Sequence, residues 1–412
     1  MSKFRFAPIG LLLAAIGLNT VPALVGVAPA AYAQALRPEI GNPLKQAQDL
    51  IKQKKYKEAL AKIRETDSVA GKKPEEVLTI ERMRASAAQS AGEHGTAAKA
   101  LEAVVESGRV SGAEQLKYIQ AIISAYYQTK DYGKVSQWLN RYFKEGGDDP
   151  TMRELQTQTY YLSGDCAKAG AEAKAAAAAA EKAGRSPSES QLQTWANCAS
   201  KTNDKAGYVA AIEKLVAYYP KKEYWTDLLN RLPQKSGWSD RLTLDLLRLK
   251  LAAGQLTKTA DFMEMAQLSL QAGFPAEAIK IIDQGYKAGA LGTGNEAERH
   301  KRLKDLAAKK LDESKAGLAQ AETEANANPD GTALVSLGYN YVTMGEADKG
   351  LNLIAQGIKK GNMKRPEDAK LRQGVAQLQA GKKSEGLQTL RSVKGTDGTA
   401  DLARYWVLVS SR

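Results

Sequence analysis

The chain has few of the residues that build catalytic and metal sites. Its 412 residues include only two histidines and two cysteines, and neither histidine has a second ligand at the spacing of a metal motif. No metalloprotease, nucleophile-elbow or phosphate-binding lysine motif occurs. The stretch "GALGTGNE" at 289–296 superficially suggests a phosphate loop, but it lacks a lysine and no predicted strand precedes it, so we interpret it as an interhelical turn. The sequence predicts no cofactor, no metal and no enzyme; the alternative is an active site that no known motif identifies.

Aromatic residues and β-branched runs are also scarce. Phenylalanine, tryptophan and tyrosine make up 7% of the chain, whereas alanine, leucine, lysine, glutamate and glutamine recur throughout. These frequent residues favour helix over sheet. With 43% hydrophobic and 25% charged residues, the composition is that of a folded protein. We therefore expect an all-α fold.

The N-terminal segment has the features of a secretory signal. Lys3 and Arg5 precede a long apolar stretch that ends in small residues around Ala33. We predict that residues 1–33 form a signal peptide cleaved after Ala33, and that the mature protein is exported without stable membrane insertion. The alternative is an uncleaved anchor, but prolines and a glycine interrupt the apolar run.

The charge is strongly basic. The formal net charge is +13, and it falls to +11 when Lys3 and Arg5 are removed with the signal peptide. A basic surface raises affinity for polyanions. Nucleic acid is not expected, because the exported chain has no arginine-rich helix or base-stacking motif. Anionic cell-wall polymer or envelope lipid is an alternative ligand class, against the interpretation of a solvated lysine-rich surface.

A pattern of small and large apolar residues recurs along the chain. In "LVSLGYNYVTMGEADKGLNLIAQGIKKG" at 334–361, Gly338 and Gly350 alternate with Tyr341 and Ile354 at fixed distances. Clear or weaker copies occur at 47–63, 85–104, 119–142, 155–173, 195–220, 262–285 and 374–390. A small residue on one helix lets a second helix approach closely, and hairpins of this kind stack to bury their apolar faces.

This pattern resembles the tetratricopeptide repeat family over most of the chain, from about Asn42 to Val393. The resemblance implies an all-α superhelical solenoid of antiparallel helical hairpins. We expect TPR-like repeats over 34–220, irregular repeats over 221–325, and C-terminal repeats with a capping helix over 326–412. Extra helices are expected at 241–254 and 295–325.

The resemblance also implies a function and a set of binding positions. Members of the family bind proteins or peptides in a concave groove lined by residues of the first helix of each hairpin. The corresponding positions here are Lys117, Gln120, Ser124 and Tyr127; Ala260, Met263, Gln267 and Leu270; and Thr332, Val335, Tyr339 and Val342. The lysine–asparagine clamp that some members use for C-terminal carboxylates is not reproduced, so the partner class stays open.

The mature chain further resembles exported repeat proteins of Gram-negative bacteria that accompany TonB-type energy-transduction systems. The stretches "YYPKKEYW" at 218–225 and "KGTDGTADLARYW" at 394–406 carry this resemblance. It implies a periplasmic accessory protein, a scaffold or adaptor, with a TonB-type component as a candidate partner.

The two cysteines are expected to lie close together. Cys166 begins the second helix of one repeat, and Cys198 lies near the end of the next repeat's first helix. If these helices are antiparallel neighbours, the two Cα atoms fall within the roughly 4.4–6.8 Å that a disulfide requires. An oxidising compartment permits the bond. The alternative is a pair of buried, reduced thiols.

Overall fold

The structure, a computed structural model, describes residues 36–411; the predicted signal peptide lies outside them. This part of the chain contains 21 α-helices, four short 3-10 segments and no strand. It forms two compact units, residues 36–211 (unit 1) and 212–411 (unit 2). The predicted all-α class is confirmed. The predicted three-part division differs from these units, since its first boundary lies after residue 220 and its second lies inside unit 2.

Unit 1 consists of successive helical hairpins. Its helices are α1 (Pro38–Lys52), α2 (Tyr56–Glu65), α3 (Pro74–Ser90), α4 (His94–Glu106), α5 (Gly112–Gln128), α6 (Tyr132–Lys144), α7 (Pro150–Leu162), α8 (Cys166–Lys182) and α9 (Glu189–Lys201), and α10 (Lys205–Tyr218) runs across the boundary between the units. From α1 to α9, every helix packs against the next one in the chain. This is the stacking of two-helix units that the sequence pattern predicts.

Polar side chains fix the starts of several of these helices. Asp131, Asp149 and Asp165 each accept a hydrogen bond from a backbone N–H in the first turn of α6, α7 and α8. Ser188 forms a reciprocal capping box with Gln191 at the start of α9. Such caps satisfy amide groups that have no partner inside the helix. The turns within and between these hairpins are therefore encoded locally.

Unit 2 combines hairpins with additional helices. Its remaining helices are α11 (Lys222–Arg231), α12 (Thr243–Ala252), α13 (Thr259–Gln271), α14 (Pro275–Lys287), α15 (Ala297–Ala316), α16 (Leu318–Ala327), α17 (Thr332–Met344), α18 (Ala347–Lys360), α19 (Pro366–Gln379), α20 (Lys383–Ser392) and α21 (Thr399–Ser410). The extra helix expected at 241–254 is α12. The single helix expected at 295–325 is instead two helices that meet at Gly317, a residue with low helix propensity.

The hairpin of α17 and α18 contains the closest helix contact that the sequence pattern predicts. A Cβ atom placed on Gly338 would lie 2.5 Å from the carbonyl oxygen of Gly350 and 2.8 Å from the backbone nitrogen of Ile354. A Cβ on Gly350 would in turn lie 2.5 Å from the Gly338 carbonyl oxygen. The two backbones therefore touch directly, and only glycine fits at either position.

The end of unit 2 packs against its beginning. Helix α21 contacts α19 and α20, as expected for a terminal capping helix, and also contacts α12. Arg241 just before α12 forms a bidentate pair with Asp368, at 2.8 Å for both hydrogen bonds, and contacts Asp397 at 2.5 Å. Lys235 pairs with Asp401 at 2.5 Å. These contacts bring the last helices back to the first part of the unit.

Candidate partner-binding site

The predicted groove positions on α5 are accessible only toward the N-terminal end of that helix. Lys117 is exposed and has no salt bridge within residues 36–411. Gln120 is half-buried, and its Nε2 lies 3.3 Å from both the Tyr142 hydroxyl and an Asp149 carboxylate oxygen. Ser124 and Tyr127 are buried. Lys117 and Gln120 are therefore accessible to solvent, whereas the two later positions belong to the core.

Polar groups also lie on α3, α5 and α7, the first helices of three successive hairpins in unit 1. Arg82 of α3 donates to Glu114 of α5 at 2.8 Å, one helical turn before Lys117. On α7, Glu154 is exposed and lies 3.5 Å from the Ser190 hydroxyl. We call Arg82, Glu114, Lys117, Gln120 and Glu154 the N-terminal polar face. Its charges are of both signs.

The predicted positions on α13 are divided in the same way. Gln267 and Ala260 are exposed and Leu270 is half-buried. Met263 is buried together with its neighbour Phe262. Two exposed positions separated by a buried one do not form a continuous groove.

The predicted positions on α17 are mostly core residues. Thr332 is exposed, but Val335, Tyr339 and Val342 are buried, and Tyr339 has 0% of its surface exposed. The structure therefore contradicts the expectation that these three side chains line an open groove. The physical reason is that unit 2 packs other helices against this face of α17.

The residues that cover Tyr339 form a buried polar network. The Tyr339 hydroxyl lies 3.3 Å from Glu277 of α14 and accepts a hydrogen bond from Gln379 of α19 at 3.1 Å. Glu277 receives both Nε and Nη2 of Arg248, at 2.8 and 2.7 Å. Arg248 also donates to Asp245 at 2.7 Å. One arginine and two carboxylates are thus enclosed together, on helices α12 and α14.

The other members of this network stabilise the charged form of Arg248. Burial opposes the charged guanidinium, but the electrostatic effects of Tyr339, Glu277 and Asp245 outweigh it, and the pKa of Arg248 lies well above its ordinary value. Burial raises the pKa of the Tyr339 hydroxyl, because it disfavours the charged phenolate, and the hydroxyl stays protonated. The Arg248 guanidinium carbon lies 4.6 Å from the centre of the Tyr339 ring. The network fixes the packing of unit 2 and leaves no free acid, base or nucleophile.

Sequence reasoning missed this network, although one signal was present. Helix α12 reads "TLDLLRLKLA", in which Asp245 and Arg248 stand three residues apart among leucines. That spacing places two opposite charges on one helix face, and the surrounding leucines indicate burial. Glu277 and Tyr339 gave no comparable signal, because their partners lie on other helices.

The two cysteines meet where α8 and α9 pack together. Their Sγ atoms lie 2.8 Å apart and both thiols are reduced and buried. The predicted adjacency is confirmed, while the disulfide itself stays a prediction. Burial, followed by the hydrogen bond to Cys166, raises the pKa of the Cys198 thiol to about 12.

Residues 36–411 contain neither a candidate metal site nor a candidate membrane-spanning helix. Within the described residues, no group of three or more histidine, cysteine, aspartate or glutamate side chains could hold a metal ion. Over the same residues, no helix is both long and apolar enough to cross a bilayer.

Comparison with known proteins gives no family assignment. No family model and no curated protein matches the sequence. Among solved structures, "Structure of Naa15/Naa10 bound to HypK-THB" aligns at 14% identity and a TM-score of 0.29, covering 87% of this chain and 59% of that chain. The yeast Tom70 crystal structure aligns at 12% identity and a TM-score of 0.23, covering 90% and 95% of the two chains.

At these TM-scores the likenesses do not establish a shared fold, so the fold class of the protein is assigned from its own helix pairing. That class is an all-α protein built from stacked helical hairpins.

Proposed function

We propose that this protein is a non-enzymatic scaffold or adaptor of the periplasm that binds a protein or peptide partner through the N-terminal polar face. The observation that carries the proposal is a polar, accessible stretch of α5: Lys117 is exposed and has no ion pair within residues 36–411, and Gln120 is half-buried, whereas Val335, which corresponds to Gln120 in unit 2, is a core residue. Stacked helices present such a face without much loss of conformational entropy when a ligand binds.

Export and the identity of the partner are parts of the same proposal. The signal-like segment ending at Ala33 supports a mature chain that begins at Gln34. The resemblance of 218–225 and 394–406 to exported repeat proteins supports a component of a TonB-type energy-transduction system as the partner. N-terminal sequencing of protein recovered from the periplasmic fraction tests the first part.

Site-specific photo-crosslinking in living cells tests the binding face. A photo-reactive residue is placed at Lys117, and for the control at Lys99, which is exposed on the second helix α4. We expect a discrete adduct with a TonB-type component from position 117 and none from position 99. Equal adducts from both positions, or none from 117, would contradict the proposed face.

The salt dependence of binding distinguishes the alternative ligand class, anionic polymer or lipid, from a protein partner. Lys359, Lys364 and Arg365 are exposed around the turn between α18 and α19, which favours some affinity for polyanions. Binding to such a surface weakens steeply as ionic strength rises. A crosslinked adduct at position 117 that persists in high salt supports the protein partner. Binding of anionic polymer or lipid that is lost in high salt but retained by Lys117→Glu supports the polyanion.

A further inference from the structure

The cysteine pair has the construction of a redox site. Cys166 is the first residue of α8, where it is 8% exposed beside the exposed residues Ser163 and Gly164. Cys198 lies inside the α8–α9 contact and is 1% exposed. Both belong to one small apolar cluster with Ala169, against which Tyr160 packs. Cys166 is therefore the more exposed of the two cysteines.

A glycine lies where the two helices approach each other beside the cysteines. A Cβ atom on Gly170, one turn after Cys166 on α8, would lie 3.1 Å from the Cys198 Cβ. This glycine thus lets α9 come near enough for the two Sγ atoms to reach 2.8 Å. Because 31 residues lie between the cysteines, a bond here would join the second helix of one hairpin to the first helix of the next.

We propose that Cys166 and Cys198 form a two-thiol redox site in which Cys166 is the entering thiol and Cys198 the resolving thiol. The chemical partner is a small-molecule disulfide. The redox site lies within unit 1, and the proposal does not depend on the proposed binding partner.

The reaction follows the ordinary course of thiol–disulfide exchange. The Cys166 thiolate attacks one sulfur of the small disulfide, forms a mixed disulfide and releases one small thiolate. The Cys198 sulfur, after losing its proton, attacks the Cys166 sulfur and releases the second small thiolate, and the two thiolates take up the two protons. The protein dithiol is oxidised by two electrons and the small disulfide is reduced to two thiols.

The order of attack follows from access and ionisation. An attacking thiol must be reachable and must supply a thiolate. Cys166 lies at the start of α8, beside the exposed residues Ser163 and Gly164. The raised pKa of Cys198 keeps its thiol protonated until the mixed disulfide places a leaving group beside it. The greater exposure of Cys166 and the raised pKa of Cys198 therefore both favour Cys166 as the first site.

The test uses the full mature chain, reduced and then exposed to oxidised glutathione under native conditions. Intact mass after alkylation is the readout, with Cys166→Ala and Cys198→Ala as a matched pair that keeps a small apolar group at each buried site. We expect wild type to lose two hydrogens and take no alkyl group, C198A to accumulate one glutathione, and C166A to react at least about tenfold more slowly, consistent with its burial.

Two outcomes would overturn the proposal. One is wild-type protein that keeps two alkylatable thiols after oxidation, which would show that the thiols are inert core residues. The other is equal glutathione uptake by C166A and C198A, which would remove the assigned order. Helix content measured by circular dichroism on every sample ensures that the folded state is compared. If either variant fails to fold, time-resolved peptide mapping of the mixed disulfide in wild type shows which cysteine reacts first, and mapping to Cys198 would refute the order.

Discussion

The glycine contact between α17 and α18 gives the most direct test of the hairpin packing. Changing Gly338 to alanine adds one methyl group, which would lie 2.5 Å from the Gly350 carbonyl oxygen and 2.8 Å from the Ile354 backbone nitrogen. Both obstacles are backbone atoms, so no side-chain rotation can relieve them and the two helices must separate. Overpacking of this kind costs about 1–3 kcal/mol in the free energy of unfolding, against a gain in helix propensity of up to about 1 kcal/mol.

A matched control lies in the same unit. Gly317 between α15 and α16 has only ordinary contacts for an added Cβ, at 3.5 Å or more, so Gly317→Ala should keep the propensity gain without the clash. We expect urea unfolding followed by circular dichroism to show Gly338→Ala less stable than Gly317→Ala by about 1–3 kcal/mol. Each kcal/mol corresponds to about 2–4 °C in the melting temperature for a unit of this size.

The partner glycine sharpens the test further. An alanine at Gly350 meets the Gly338 carbonyl oxygen at 2.5 Å, so either substitution forces the same separation of the two helices. The double variant should then cost less than the sum of the single variants, because contacting sites are not additive. Identical unfolding midpoints for Gly338→Ala and Gly317→Ala, or full additivity with Gly350→Ala, would refute the close backbone contact.

Three further perturbations test other parts of the structure. Arg248→Met leaves two buried carboxylates without their cation and should destabilise unit 2 by about 3–5 kcal/mol in urea unfolding. The control Arg299→Met, at an exposed ion pair, should change the free energy of unfolding by less than about 1 kcal/mol. Equal effects of the two substitutions would contradict the buried network. The hydrogen bonds from Arg37 lower the pKa of Glu76 from 4.5 to about 2, so the stabilisation is present above pH 4.5 and is lost as the pH falls toward 2. Urea midpoints measured across that range should fall more for wild type than for Glu76→Gln, and parallel curves would exclude this ion pair as the source. Arg241→Gln should accelerate hydrogen exchange in α21 with little change in α17, since it removes a contact that holds the last helix; unchanged exchange in α21 would show that apolar packing alone holds it.

The repeats were predictable from sequence because their determinants are local. Gly338 and Gly350 lie twelve residues apart on two helices joined by a short turn, so the spacing of small residues alone indicates the contact. The adjacency of the two cysteines was predictable for the same reason, since they lie on consecutive helices.

The error at Tyr339 has the opposite cause. Transfer of a groove position from a repeat pattern assumes that the inner face of the first helix is open. Tyr339 is covered by Arg248 and Glu277, which lie 91 and 62 residues earlier in the chain. No periodicity specifies that return of the chain, and the packing of α21 against α12 escaped prediction for the same reason.

The contacts that return α21 to the start of unit 2 also affect the order in which the chain can fold. Arg404 and Tyr405 bind Glu213 across 191 and 192 residues, and Lys235 binds Asp401 across 166. In unit 1, by contrast, the ion pair between the first hairpins spans 39 residues. Local contacts form early and distant ones late, and a ribosome releases the N-terminal part first. Unit 1 can therefore gain structure hairpin by hairpin during synthesis, whereas unit 2 lacks the partners of its opening segment until nearly all of the chain has been made.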